Sequence, residues 1–413
     1  MKVLWVNSNF MHPTTKGGQI RTLEMLRYLH QWHEIHYVAL ANPDLPEGPA
    51  RAHEYSTKSY PFPHKAPDKR SPAFLKQLIA GTFSPIPLSM SRFDPPGMKE
   101  FLAGLIRQEG FDAVVADHLA PMCYMPDRAN TILFQHNVEF MIWRRHAQHA
   151  GNLLKQKFFQ LQAERMFEFE RTACREAAHV VACGEVDNQL MREQFGITTV
   201  SDVPTGVNLE FFARPTPGSA PPLTTQPDFA FIGSMDWRSN QQGVLWFVQD
   251  VLPLIRRQRP AATFAVVGRT PPPEITALAK DPGIAVTGTV ADVRPWFWEA
   301  GVSVVPLLVG GGTRLKIYEA MAARSPVVST TIGAEGLVYE HPANIRIADT
   351  PQAFADQCLD LVGHRDTRES VADAAWNLVN AHFSWEVAAR RFDEVLQNEV
   401  RRRAALRKDR PRQ

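Results

Sequence analysis

One stretch restricts the possible folds more than any other. From Val302 to Val309 the chain is apolar and β-branched, which predicts a buried strand. Gly310, Gly311 and Gly312 follow. Thr313 to Arg324 then predicts a helix, with Thr313 as its N-cap and Leu315, Ile317, Met321 and Ala322 as its apolar positions. Pro326 ends that helix, and Val327 opens another strand. Strand, glycine loop, helix, strand is the unit from which parallel α/β sheets are built.

The charge in that helix adds chemistry. Arg314 and Lys316 fall in its first turn, where the macrodipole is positive and disfavours cations by about 0.3–1 kcal/mol each. Two cations there, behind glycines that leave backbone N–H groups uncovered, predict an anion site suited to a phosphate or diphosphate. The alternative is a loop with two solvated basic side chains. No GK[ST] closes the loop, so it is not a Walker A loop, and no G-x-G-x-x-G with a downstream ribose carboxylate marks a dinucleotide site.

The 413 residues are enough for two domains, each with its own core. A net charge of +2 gives no bulk case for nucleic acid, and the basic excess gathers in the tail, residues 401–412. Cys123, Cys174, Cys183 and Cys358 show neither metal-ligand spacing nor a disulfide framework, which fits a reducing compartment. Residues 1–7 predict a first strand rather than a signal peptide, and no apolar run reaches the ~18 residues of a membrane span.

The first half begins strand (Val3 to Val6), loop (Asn7 to Gly18), helix (Gln19 to Trp32), strand (His36 to Leu40). Gly17-Gly18 is either a tight turn or a place where backbone approaches a substrate. Residues 57–96 are rich in proline and show little periodicity beyond a short helix from Phe74. A helix over Met98 to Glu109 and strands over 111–117 and 130–134 follow. The second of these strands ends in Gln135-His136-Asn137-Val138-Glu139. Polar residues at the carboxyl end of a buried parallel strand face the ligand crevice of an open α/β sheet, so His136 and Glu139 are site candidates. The competing reading of His136 is a satisfied structural histidine. Ile142 to Ala178 predicts one long helical stretch, either a bundle helix with a solvated basic face or, with the apolar residues 74–88, a surface resting on anionic lipid.

A Pro-, Ser- and Thr-rich linker precedes Asp228, after which the strand-and-helix pattern restarts. The expected organisation is a Rossmann-like domain over 1–208, a linker over 209–227, a second Rossmann-like domain over 228–384, and a C-terminal helix with a basic tail over 385–413 that packs back on the first domain. A ligand cleft is expected between the two domains.

Five motifs in order, Gly233-Ser-Met-Asp-Trp237, Val266-Val-Gly268, Gly288-Thr-Val-Ala-Asp-Val293, Gly310-Gly-Gly-Thr-Arg-Leu-Lys-Ile-Tyr-Glu-Ala-Met-Ala322 and Gly333-Ala-Glu-Gly-Leu337, resemble the retaining GT-B glycosyltransferases of family 4. Gly17-Gly18-x-x-Arg21, His136-Asn-Val-Glu139 and Pro204-x-Gly-Val-Asn208 extend the resemblance over nearly the whole chain, closest to bacterial exopolysaccharide-type enzymes. It implies metal-independent, cofactor-free transfer of a sugar from a UDP- or GDP-sugar, with retention, to a glycan or lipid-linked acceptor. It also implies a cytoplasmic protein, peripheral to the membrane.

Carried over by position, Arg314 and Lys316 hold the diphosphate, which the loop of Gly310, Gly311, Gly312 and Thr313 lets approach. Gly17 and Gly18 cover it from the first domain. Glu319 accepts the ribose hydroxyls; Gly288, Thr289 and Val290 meet the base; Gly233, Arg238 and Gly268 line the donor side. His136 sits beside the anomeric carbon, with Arg21, Asn137 and Glu139 toward the acceptor. The chain departs from the pattern in two places. Gly311 stands where the first acid of the Glu-x7-Glu motif belongs, and Ser234 and Gln242 stand where an Arg and a Lys are usual. Two other classes remain as alternatives, a non-catalytic nucleotide-sugar-binding scaffold and another GT-B enzyme such as an epimerase or a phosphorylase. A phosphorylase would need a pyridoxal-phosphate lysine.

Overall fold

A computed structural model describes all residues except 15–16, 68–70, 73–80, 82–83, 149–151, 217–222, 224–225, 310–314 and 409–413. The expectations placed on Gly310, Gly311, Gly312, Thr313 and Arg314, and on most of 74–83, lie outside the described residues. Contacts divide the chain into two units, Met1–Pro204 with Ala388–Gln413, and Thr205–Val387.

The first unit holds seven strands: β1 (Lys2–Asn7), β2 (Glu34–Ala41), β3 (Lys58–Pro63), β4 (Ala113–Asp117), β5 (Ile132–Phe134), β6 (His179–Ala182) and β7 (Val200–Asp202). All pair in parallel, in the order β3-β2-β1-β4-β5-β6-β7. The second unit holds β8 (Phe229–Ile232), β9 (Phe264–Val267), β10 (Ile284–Gly288), β11 (Val302–Val305), β12 (Val327–Ser329) and β13 (Arg346–Ile347), in the order β10-β9-β8-β11-β12-β13 and again parallel. Each sheet is therefore doubly wound and Rossmann-like. The direction of winding reverses between β1 and β4 in one unit and between β8 and β11 in the other, and such a reversal opens a crevice at the carboxyl ends of the strands.

The helices that matter to the site are α1 (Gly17–Trp32), α2 (Met98–Glu109), α3 (Glu139–Gln148), α4 (Leu153–Glu176) and α5 (Glu185–Phe195) in the first unit. In the second they are α6 (Arg238–Trp246), α7 (Leu252–Gln258) and the described part of α8 (Leu315–Ala322). The chain ends in α9 (Trp385–Lys408), which carries Phe392 into the first core. There Phe392 lies 5.1 Å from the Trp5 ring and 5.0 Å from Phe134. In the second unit Phe247 meets Phe264 at 4.6 Å and Phe354 at 6.0 Å. Among the described residues no helix is long and apolar enough to cross a membrane.

The structure corrects four local expectations. The helical stretch 142–178 is two helices, and α4 is started by Asn152, whose Oδ1 accepts from the Lys155 N–H at 2.8 Å. The strand expected to reach Val309 stops at Val305, because Pro306 donates no ladder bond, and Leu308 and Val309 are exposed. Residues 57–96 contain β3, a six-residue strand hidden by Pro61 and Pro63; it survives as an edge strand paired only to β2. The helix expected over Asn240 to Gln258 is broken by a π-helical turn, Phe247–Val251, which opens the backbone ahead of Pro253.

Candidate functional site

In the first unit three side chains converge at the carboxyl ends of neighbouring strands. Asp117 ends β4, His118 follows it, and His136 lies just past β5. His118 has φ 70°, a left-handed conformation that costs a non-glycine residue on the order of 1–3 kcal/mol and is concentrated at functional sites. Its ring stacks on His136 with centroids 3.7 Å apart and planes 20° apart. Asp117 is fully buried. Its Oδ1 bonds His136 Nε2 at 2.7 Å, and its Oδ2 accepts from Trp5 Nε1 at 2.9 Å, Asn7 Nδ2 at 2.6 Å and Thr22 Oγ1 at 2.8 Å.

These contacts fix the charge states. Burial opposes ionisation of Asp117, but His136, His118 and the donated hydrogen bonds outweigh it and hold the carboxyl below the usual carboxylate range. Burial and the neighbouring His118 outweigh Asp117 at His136 and push its imidazole down to about 3. His136 is therefore neutral at neutral pH. With an ionised carboxylate at Nε2, the ring proton belongs there, and Nδ1 presents a lone pair. That Nδ1 is buried and has no hydrogen-bond partner among the described residues.

Gly18, in the first turn of α1, lies against both rings. A Cβ there would sit 3.1 Å from His118 Cε1 and 3.5 Å from His136 Nδ1, so a side chain would crowd the face that Nδ1 presents. The ligand atoms of Asp117, His118 and His136 lie within 4.8 Å of one another, close enough in principle to share a metal. The carboxylate, however, already accepts four donors, and a metal bound there would have to displace them.

In the second unit the corresponding place is the carboxyl end of β8. Lys316, on α8, puts its Nζ 2.9 Å from Asn240 Oδ1 and 4.4 Å from the centroid of the Phe231 ring. A Cβ on Gly233 would lie 2.8 Å from that Nζ, and one on Gly268 would lie 1.9 Å from the Gly233 carbonyl. Two glycines at the ends of adjacent strands thus leave the seat the ammonium occupies. Asn240 is itself fixed, donating from Nδ2 to the Ser234 carbonyl at 2.7 Å. Glu319 is half-buried one turn along α8. Burial pushes its carboxyl up to about 7 against the pull of Lys316.

Known proteins carry the same two-unit plan. Residues 15–211 match the family profile "Glycosyltransferase Family 4", and residues 226–364 match "Glycosyl transferases group 1". Both units are those of a GT-B glycosyltransferase. Among solved structures the chain is similar to sucrose-phosphate synthase from Thermosynechococcus elongatus, at 15% identity and TM-score 0.66 over 96% of this chain and 99% of that one. It is also similar to Anabaena HepE solved with UDP, at 13% identity and TM-score 0.65 over 96% of this chain and 100% of that one. At these identities the likeness is one of fold. An uncharacterized 44.6 kDa protein in the cps region of Klebsiella pneumoniae is 23% identical over 161 residues, which is 37% of this chain and 42% of that relative.

Within this glycosyltransferase framework the expected residues divide. The structure brings His136 and Gly18 together in one unit, and Lys316, Gly233 and Gly268 in the other. Gly17 has open space around its would-be Cβ. Arg21 is buried: its guanidinium donates to the Val203 carbonyl and Cys183 Sγ and lies 4.7 Å from the Phe134 ring centre. It braces the sheet from inside. Asn137 is exposed. Glu139 opens α3 half-buried, and burial raises its carboxyl against a hydrogen bond from Asn137. Arg238 begins α6 exposed to solvent. Gly288 ends β10 with φ 66°, followed by exposed Thr289 and by Val290 packed on the second core.

Sequence reasoning missed Asp117, His118 and Asn240. The first two were findable, because the strand-end rule that selected His136 applies equally to the end of the strand over 111–117. Asn240 carried no signal, since its use depends on Lys316, 76 residues away.

Proposed function

We propose that the chain transfers a sugar from a nucleotide sugar, a UDP-sugar by preference, to a glycan or lipid-linked acceptor with retention and without a metal. The observation that carries this reading is the pair of strand-end clusters: a fixed cation at the carboxyl end of β8 and a neutral imidazole lone pair at the carboxyl ends of β4 and β5. The HepE complexes with UDP and with UDP-glucose support uracil as the base, and the relative in the cps region supports a role in cell-surface polysaccharide synthesis.

In this mechanism the bond from the anomeric carbon to the diphosphate oxygen breaks and the bond to the acceptor oxygen forms on the same face. The departing diphosphate takes the acceptor's proton. Negative charge grows on the phosphate oxygens, where Lys316 stabilises it without reorganising. His136 Nδ1 accepts from a sugar hydroxyl, and Asp117 fixes the ring and its tautomer. Glu319 accepts from the ribose. Exposed Leu153, Leu154 and Phe158 beside Lys155 and Lys157 at the start of α4 would rest the protein on the anionic cytoplasmic membrane face.

The test is UDP release from UDP-sugars with candidate acceptors. The wild type should release UDP equally with and without chelator. His136→Ala should lose the hydrogen bond's share of the barrier, about 1–3 kcal/mol or roughly ten- to hundredfold in rate. Release abolished by chelator, or an epimerised nucleotide sugar as product, would refute the proposal.

A further inference from the structure

Glu170, in the last third of α4, is completely buried and belongs to none of the groups assigned above. Its carboxylate gathers three N–H donors from the two sides of His136. Oε1 accepts from the Gln135 side-chain amide at 3.0 Å and from the Glu139 backbone at 2.9 Å, and Oε2 accepts from the Phe140 backbone at 2.9 Å. The last two donors are first-turn N–H groups of α3, which have no partner inside the helix. Val138, just before that helix, has no side-chain acceptor to cap them, so the cap comes from another helix. On the other side of the loop, Cys183 Sγ donates to the His136 carbonyl at 2.9 Å and the Gln135 carbonyl at 3.2 Å.

We propose that Glu170 is a positioning residue for His136: it ties Gln135 to the start of α3 and so holds the intervening loop where His136 can meet Asp117 and His118 and keep Nδ1 turned to the ligand. This inference rests on the reading of His136 as a sugar contact. Asp117 grips one ring atom and His118 one ring face, but neither fixes the backbone that carries the ring. Glu170 reaches it from both flanks, through the Gln135 side chain on one and the Glu139 and Phe140 backbone N–H groups on the other. Its surroundings are otherwise uncongenial to a carboxyl. Burial pushes it up to about 8, with Glu139 from α3 and Asp187 from α5 adding to the push while the two backbone N–H groups pull the other way. Cys174, one turn further along α4, also faces it. An acid kept in that place has a use for its acceptor oxygens.

The test compares Glu170→Leu, which removes every acceptor, and Glu170→Gln, which keeps one oxygen, in the full chain. Turnover of UDP-glucose should fall in the Leu variant by on the order of ten- to hundredfold, as misplacement of a substrate-positioning group does. The Gln variant should fall less, and the KM for donor should hold in both. A substrate-free readout accompanies it. Histidine-selective ¹⁵N spectra should show His136 as a single Nε2-protonated tautomer in the wild type and as a tautomer mixture in the variants. Asp127→Ala, which removes a cap elsewhere in the same unit, should lower thermal stability and leave both readouts unchanged. If the Glu170 variants lose stability alone, with tautomer and turnover intact, Glu170 is only a helix cap and the proposal fails. If His136→Ala itself turns over normally, the site reading beneath the proposal fails instead. If the Leu variant does not fold, the Gln variant decides.

Discussion

A neutral imidazole hydrogen-bonded to an ionised carboxylate is a fixed acceptor, and His136 keeps that state down to a pH of about 3. An acidic limb in the rate between pH 5 and 7 therefore belongs to another group, and Glu319, raised to about 7, is the one placed to supply it. The same shift has a consequence for stability. The folded state holds the Glu319 proton from the ordinary value of 4.5 up to about 7 while the unfolded chain has lost it, so this residue's contribution to stability falls as pH rises through that window. Glu319→Gln should remove that fall. Melting temperatures of wild type and variant, measured from pH 4 to 8, should diverge progressively in the variant's favour above pH 4.5, and a constant difference would contradict the assignment. Lys316 was readable as a candidate from the charge pattern of one helix, and Glu319 from the family resemblance. What was not readable is that Lys316 finds its seat over Gly233 and against Asn240, because a contact between β8, α6 and α8 exists only once the sheet is wound.

At the scale of elements, the apolar periodicity exposed helices with clear punctuation and failed where proline or a capping residue interrupts. Glu109-Gly110 ends α2 at the residue expected, and Phe195-Gly196 ends α5, each with the glycine in a left-handed conformation. Asn152 divided what looked like one helix, and two prolines disguised β3. The start of α4 is unusual for its exposure: Leu153 and Leu154 are 74% and 83% exposed beside Lys155 and Lys157. If that turn rests on lipid, flotation with vesicles containing anionic lipid should retain the wild type and lose a Leu153→Glu, Leu154→Glu variant, whereas neutral vesicles should retain neither. The opposite end of the chain makes a packing prediction. Phe392 on α9 is fully buried against Trp5 and Phe134, so Phe392→Ala should cost about 3–5 kcal/mol by denaturant unfolding.

At the scale of the whole molecule, two sheets of the same winding place their polar groups by one rule, at the carboxyl ends where the strand order reverses. The alternation of strands and helices made that architecture legible from sequence. The chemistry of the site was legible only in part, because Asn240 and Glu170 act through residues far away in sequence. The central claim is that Lys316, seated over Gly233, takes the diphosphate of a nucleotide sugar. It is tested most directly by calorimetric titration of UDP into wild type and Lys316→Ala, with GDP as the comparison. The account predicts one UDP per chain, weaker GDP, and a variant weakened roughly tenfold or more, the worth of a charged hydrogen bond. Equal affinity for UDP in the two proteins would contradict it.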